Sequence, residues 1–570
     1  MEFEEVLKST GGFGSFNKTV MMAVLVLATF RTSLAYLGHL FVLVTPSSQW
    51  CFAEDSSSGL PETTSLPTGK CQMMLPSSDG YGSNASFVRE DVRECLTGWV
   101  FDSDEFFTTI TMENQWLCSE SWKMYAVHTS FWVGSMLGYL LSALLADRIG
   151  RKKTLQILIV ICSSASLAGT LLTDLVGFTV LRCLAGMGAY TVCSTVYVLV
   201  VEYTVSRKRT FIAFTWASTW TVIGSLYPWY AYFLQSWRGL LVTNGCVDLL
   251  LLLTLCWVPE SSSWLMSAGR TKEALDTLEK VARLNGSATT RRELQVLLSV
   301  SPNTPIIQIP LTKLDKKNIS FSETTVAIWK MPRIRKFTLL IYAAWFAISL
   351  CYNGGTLELG RLGLNIYSTY STAIAFELPV NVLCILTLDN LGRRWPNVAF
   401  MLLGGVACLV VALVRTDSEL AVLVMAVVSI MSFSGGYTVT YQLAGELFPT
   451  VIRGRAILIQ RFIGDVGGLL GTRVASLAES DKYIPMLVMG VVALTASFIL
   501  FFLPDTVNEA LPQTLEDGDN VGRGQGLCFC PVFASKPASP KKRPEVEAYV
   551  TTTRETNTVF TKKVNTSVAI

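Results

Sequence analysis

The sequence predicts an all-α membrane protein of twelve transmembrane helices, built as two six-helix halves with a large extracellular loop between helices 1 and 2. Composition, the number of apolar runs and an internal repeat carry that reading. Of 570 residues, 51% are hydrophobic and only 16% are charged, and the mean hydropathy is positive. Such a chain is too apolar for an ordinary soluble protein of its size. Runs of about 20 apolar residues, enough to cross a hydrocarbon core of about 30 Å, recur along almost the whole length. They predict helices over 18–44, 123–145, 154–173, 177–201, 211–235, 239–258, 335–354, 369–389, 396–415, 418–443, 454–477 and 484–504.

The first run is too long for a signal-peptide core and lacks a small-residue cleavage site, so it reads as a retained helix after a cytoplasmic N-terminus, 1–17. An N-terminal half then covers 18–258 and includes the loop at 45–121. A cytoplasmic linker spans 259–334, a C-terminal half 335–504 and a tail 505–570, polar and expected to be disordered beyond about residue 525. An even helix count puts both termini on one side. The basic loops at Arg148 to Lys153, Arg207 to Arg209, Arg393 to Arg394 and Arg453 to Arg455 share that side, which is therefore cytoplasmic, with the protein in the plasma membrane. The net charge of +3 follows topology and forms no face for nucleic acid.

The long loop carries Cys51, Cys71, Cys95 and Cys118 and the sequon Asn84-Ala85-Ser86. It reads as a disulfide-stapled extracellular segment, with three pairings open and Asn84 as the glycan acceptor. Sequons at Asn17, Asn285, Asn318 and Asn565 fall on the cytoplasmic side and are expected to stay bare.

The repeat is the strongest signal. Ala146-Asp147-Arg148-Ile149-Gly150-Arg151 after helix 2 returns as Leu388-Asp389-Asn390-Leu391-Gly392-Arg393 after helix 8. Glu202 followed by Arg207 returns as Glu446 followed by Arg453, and Pro259-Glu260 returns as Pro504-Asp505. Three landmarks in fixed order argue for a duplicated six-helix unit, a substrate cavity between the halves and alternating access. Glycine permits the tight turn, and the charges are expected to hold one half against the other as a gate, formed by Asp147, Gly150, Arg151, Glu202, Asp389, Gly392, Arg393, Glu446 and Arg453.

At these residues the chain resembles the organic cation, anion and zwitterion transporter family of the major facilitator superfamily, nearly end to end. The resemblance includes the amphipathic start from Phe3 to Phe16, Trp99, Asp102 and Trp116-Leu117-Cys118, Arg182 with Gly186 and Gly188, and Pro259-Glu260-Ser261 with Trp264-Leu265. It continues through Glu446-Leu447-Phe448-Pro449-Thr450 and Leu511-Pro512. The chain departs from the family at Ser262 and Ser263, where proline and arginine are usual, and at Ala143, where glycine is usual. The resemblance implies a major facilitator fold and a small organic solute as substrate.

Ionisable groups inside membrane helices are costly, so each is a functional candidate. Glu377 in helix 8 and Asp465 in helix 11 match acidic positions of the family's cation-handling branch and favour a positively charged substrate. Trp345, Phe346 and Tyr352 match its aromatic cavity wall, whose faces attract organic cations. Either acid has an alternative role, pairing internally with Arg461 or Arg31. Arg31, in mid-helix 1, is read as a counter-ion for Glu377 or Asp465, or as the carboxylate receptor of a zwitterion carrier. An organic anion carrier using Arg31 is the runner-up, and a non-transporting solute receptor on the same fold is the rival from another class. His39 is weighed as a proton-coupling group against a neutral histidine bonded to a neighbouring helix, and Trp216 and Trp220 read as packing or lipid-facing.

No nucleotide-binding glycine loop, metal cluster or nucleophile constellation appears in the sequence, which points away from a pump, a cofactor and an enzyme. Expected partners are the solute and membrane lipid. Val568-Ala569-Ile570 has the form of a PDZ-domain ligand, a form that short apolar ends also take by chance. Cys528 and Cys530 are at most lipidation sites, a chance pair being the commoner origin.

Overall fold

The computed structural model describes residues 3–45, 49–51, 72–74, 92–94, 99–101, 108–205, 208–299, 329–359, 365–415, 418–479, 481–507, 512 and 515–526. Twelve membrane helices run through them, numbered α1 to α12 with the shorter helices left unnumbered. The first half holds α1 (Asn17–Val42), α2 (Trp122–Ile149), α3 (Arg151–Ala168), α4 (Leu175–Glu202), α5 (Arg209–Leu234) and α6 (Trp237–Thr254). The second holds α7 (Pro332–Leu359), α8 (Ile366–Leu388), α9 (Arg394–Val414), α10 (Glu419–Leu447), α11 (Thr450–Ser476) and α12 (Ile484–Phe501). Among the described residues, nine helices are long and apolar enough to cross a membrane by length and composition alone. The other three are α3, α5 and α11, whose order and neighbours complete the six-helix repeat. Exposed Leu137, Leu144, Leu226, Phe233, Leu253 and Leu413 suit contact with lipid tails.

Helix starts differ between the two ends of the bundle. Where α4, α6, α8 and α10 begin, on the side of the long loop, each is capped by its own preceding residue: Asp174, Ser236, Asn365 and Ser418 accept backbone N–H groups of the first turn. On the opposite side, which carries the basic loops, α3 and α9 begin at glycines and are capped from a distance. Glu260 accepts the N–H groups of Arg151 and Lys152 at 2.9 and 3.1 Å, and Asp505 those of Arg393 and Arg394 at 3.1 and 3.2 Å. Gly150 and Gly392 have φ of 100° and 85°. A Cβ at either would collide with the capping carboxylate, so glycine serves both the turn and the cap.

Two helices are interrupted. Sequence periodicity runs through 177–201 without a break, but α4 consists of Leu175–Gly186 and Thr191–Glu202 joined by a turn. α8 breaks at Phe376, where a second segment starts with Glu377 and tolerates Pro379 in its first turn.

Three apolar cores organise the bundle. One fuses the halves at the long-loop end, where Tyr36, Phe41 and Tyr227 pack with Tyr367, Tyr370, Ile374 and Ile430. The others stay within one half each: Met21, Leu155, Val196 and Leu251 in the first, and Phe337, Met401, Leu443 and Ala493 in the second. The bundle is therefore sealed at the long-loop end by residues of both halves, while at the basic end the first half keeps a core of its own.

On the basic side, the helix Phe3–Ser9 packs Val6 against Leu275, Leu278 and Leu294 of the helices Thr271–Leu284 and Arg291–Ser299. Asn285 clamps this segment, accepting the Phe16 N–H at 2.9 Å and donating to the Thr10 carbonyl at 2.9 Å, while Asn17 donates to the Tyr203 carbonyl at 2.7 Å. The amides of these two sequons are thus occupied as structural pins. Within the long loop, Gln49–Cys51 pairs antiparallel with Trp99–Phe101, and Gln72–Met74 with Val92–Glu94. Cys118 is disulfide-bonded. Cys71, Cys95, Asn84, Asn318, Asn565, the two tail cysteines and the C-terminal triplet lie outside the described residues.

Candidate functional site

The predicted site residues sort into three places. Arg31 does not meet Glu377 or Asp465. It is fully buried in the first half and pairs with Asp248 of α6, with Nε to Oδ1 at 2.5 Å and Nη2 to Oδ2 at 3.4 Å. Its Nη1 donates to the carbonyls of Gly188 and Ala189 in the turn that interrupts α4, where the Gly188 carbonyl also accepts the Val192 N–H at 3.3 Å. A single arginine thus neutralises a membrane acid and satisfies broken backbone, joining α1, α4 and α6. Gly188 is needed there because a Cβ would meet the Cys162 thiol and the guanidinium. The readings of Arg31 as a substrate receptor or as a counter-ion of Glu377 or Asp465 fail on this geometry. Asp248, an isolated acid in a leucine-rich run, was the signal overlooked.

His39 also belongs to the interior of the first half. It lies 3.0 Å from the His128 ring nitrogen and stacks on Phe131 at 4.0 Å between centroids. His128 is buried as deeply, so both histidines of the chain sit within the bundle. The neighbour-bonded reading of His39 fits this arrangement.

The basic-side motifs form two matching networks. Arg151 approaches Glu202 at 3.5 Å and donates to the Ala146 carbonyl at 3.1 Å. Arg393 approaches Glu446 at 3.1 Å and donates to the Leu388 carbonyl at 2.8 Å. Glu446 also accepts from Gln442 and Thr506, and Arg453 donates to the Phe448 carbonyl. The contacts described for each network lie within its own half, and the two networks match residue for residue. The side chains of Asp147 and Asp389 lie outside the described residues.

Between the halves lies an aromatic enclosure. From the first half come Tyr36, Trp132, Tyr190 and Trp220, with neighbouring ring centroids 5.8 to 6.5 Å apart. Trp216 reaches across to Tyr441 of α10 at 6.2 Å. Trp216 and Trp220 therefore face the space between the halves, not lipid. From the second half come Tyr352, Tyr437, Tyr441 and Trp345, the last tilted against Tyr437 with centroids 4.3 Å apart. Tyr36 bonds Asn353 across the divide at 3.0 Å.

Charged groups line this enclosure. Tyr352 donates to Glu377 at 2.9 Å. Asp465 is 6% exposed beside Ser135 of α2, and its Oδ2 has no hydrogen-bond partner among the described residues. Arg461, one turn earlier on α11, lies over the rings of Tyr441, Trp345 and Tyr437 at 4.4, 5.3 and 5.5 Å and donates to the Tyr437 hydroxyl. Trp345 is only 1% exposed, so its cation is Arg461 rather than anything entering from the cavity. Phe346 is half-buried, its carbonyl against Gly467. Gly464, Gly467 and Gly471 of α11 leave no space for a Cβ beside α7, which holds Asp465 at a fixed depth.

The comparisons with known proteins agree with this architecture. Residues 121–472 match the model of the Major Facilitator Superfamily. Curated relatives include organic anion transporter 3 of Oryctolagus cuniculus, 28% identical over 91% of this chain and 94% of that protein. Organic cation transporter 1 of Caenorhabditis elegans is 24% identical over 92% and 89%, and the carcinine transporter of Drosophila melanogaster 26% identical over 94% and 83%. Among solved structures, a partially occluded inward-open form of the xylose transporter XylE from E. coli superposes with a TM-score of 0.55. It is 15% identical and covers 87% of this chain and all of that one, a likeness of fold.

Proposed function

The chain belongs to the Major Facilitator Superfamily of membrane transporters, and from that premise we propose that it carries small organic cations or zwitterions across the plasma membrane by alternating access. The long loop is extracellular in this reading and both termini are cytoplasmic. The observation that carries it is the Asp465 carboxylate, held beside Ser135 in an aromatic enclosure between the halves, with one oxygen that no group among the described residues satisfies. A buried acid in that state calls for a cationic partner. Glu377, braced by Tyr352, offers a second acid, and the partly buried rings of Trp220 and Tyr352 supply faces for an ammonium. Trp345 and Phe346 act from behind by fixing α11. The networks around Arg151 and Arg393 keep each half rigid as the halves rock.

Uptake of matched amine, zwitterionic and carboxylate solutes by cells expressing the wild type and Asp465→Asn at equal surface level tests this reading. Loss of amine uptake in the variant is the expected result. Carboxylate uptake that survives the substitution overturns the charge class, and uptake of nothing favours the receptor. A permanent cation moves down the membrane potential, worth about 2.3 kcal/mol per charge at 100 mV. Inward current is therefore expected to accompany its uptake, and electroneutral uptake would refute the potential-driven mechanism.

An anion carrier retains one supporting observation, the cationic Arg461 in the same enclosure. Arg31 no longer supports it.

A further inference from the structure

Arg461 and Asp465 are four residues apart on α11 and share a face, the spacing at which opposite charges pair on an exposed helix. Here they do not. Among the described residues, no carboxylate oxygen lies within ion-pair distance of the Arg461 guanidinium, whose hydrogen bonds go to the neutral hydroxyls of Tyr437 and Tyr441. Tyr441, Trp345 and Tyr437 hold the guanidinium through their ring faces at 4.4, 5.3 and 5.5 Å. Ring contacts orient a cation and attract it without cancelling its charge. A guanidinium keeps its proton at every physiological pH and carries five N–H donors, more than the two tyrosine hydroxyls that Arg461 bonds among the described residues can accept.

Two consequences follow. The best aromatic surface of the second half is already filled by a protein cation, so a substrate ammonium is directed toward Asp465 and Glu377. A positive group placed beside Arg461 is repelled, whereas a planar anion there gains paired hydrogen bonds. Arg461 and Asp465 thus present opposite charges to the same space about one helical turn apart, some 5 to 6 Å.

We propose that Arg461 is a specificity-determining residue that receives the carboxylate of a zwitterionic, amino-acid-like solute whose ammonium goes to Asp465. This rests on the cation-or-zwitterion reading above and narrows it to the two-ended substrate. Asp465 and Arg461 together replace the acid and base that sequence alone assigns to Asp465 and Arg31.

The test is uptake by proteoliposomes containing the full chain, using ω-amino acids of two to five carbons, each paired with its amide. The members of a pair differ only in the carboxylate. Wild type is expected to prefer the amino acid, and Arg461→Gln to lower kcat/KM for it by about tenfold or more while leaving the amide unchanged or improved. Arg461→Lys, which keeps charge but loses the planar fork, is expected to recover only part of the preference. Equal loss for both members of a pair, in protein of unaltered thermal stability, makes Arg461 structural and overturns the proposal. A wild type that favours the amides overturns it too, yet leaves the cation carrier standing. No uptake of any member above that of empty vesicles removes the carrier reading itself.

Discussion

The two halves of this transporter treat membrane-buried charge in opposite ways. In the first, Arg31 and Asp248 neutralise each other and a broken helix absorbs the remaining donors. In the second, Arg461 and Asp465 occupy one helix without an ion pair between them, and Glu377 is held by the neutral hydroxyls of Tyr352 and Ser434. Both arrangements bury charge in lipid-embedded protein, but only the second lacks an ion pair among its described residues, and this is the charge that the proposed function assigns to a solute. In that reading, the difference separates a structural ion pair from a binding site more cleanly than depth in the membrane or residue type can.

The comparison breaks most visibly at Arg31. Arg31→Gln or Asp248→Asn strands the other charge inside the bundle, at a cost of about 3 to 5 kcal/mol. Either variant is expected to fold poorly, as read by size-exclusion and thermal unfolding in detergent, whereas the double variant Arg31→Met with Asp248→Leu recovers much of the folded protein. A selective loss of zwitterion uptake with normal folding in Arg31→Gln would contradict the assignment. Asp465→Asn is expected to behave in the other manner. Its stability stays near wild type while kcat/KM for ammonium solutes falls about 10- to 100-fold, as expected for losing a charged hydrogen bond.

Smaller effects sharpen the comparison at the helix caps. Glu260→Gln and Asp505→Asn each weaken a remote cap and are expected to cost about 0.5 to 2 kcal/mol in thermal stability. Asp505→Asn should cost more, because Asp505 is fully buried. The smallest effect is at the long-loop end. There Glu113 binds Arg238 through two hydrogen bonds and Trp237 through a third, and the Arg238 bonds hold its carboxyl below the usual range. A depressed folded-state pKa gives stability that is present above the ordinary carboxylate value and lost as pH falls through the lowered one. Loop proteolysis of the purified protein is therefore expected to stay flat through neutral and mildly acid pH and to rise only below the ordinary carboxylate range, and Glu113→Gln should remove that dependence.

Much of the architecture was legible in the sequence because lipid demands long apolar runs and topology demands basic loops. The duplicated motif could be read because Gly150 and Gly392 solve the same problem, a turn whose amides must face a carboxylate from another helix. What escaped was azimuth. A helix apolar on all sides does not reveal which face meets lipid, so Trp216 and Trp220 looked peripheral although they line the space between the halves. Partnership escaped for a related reason: Asp248 lies 217 residues from Arg31, and nothing local in its leucine run marks it as a mate. The interruption of α4 was hidden because Gly186 and Gly188 fall in an unbroken apolar pattern, and the small size of Gly188 serves the approach of Arg31 and Cys162, that of Gly186 the approach of the Phe131 backbone.

The shared core at the long-loop end has a thermodynamic consequence for the transport cycle. Facing outward requires prying Phe41 and Tyr227 away from Tyr367 and Tyr370 and wetting their rings, and newly wetted apolar surface raises heat capacity. The reorientation that reopens the outer mouth should therefore carry an activation enthalpy that climbs with temperature, giving a curved Arrhenius plot for turnover wherever that step is slowest.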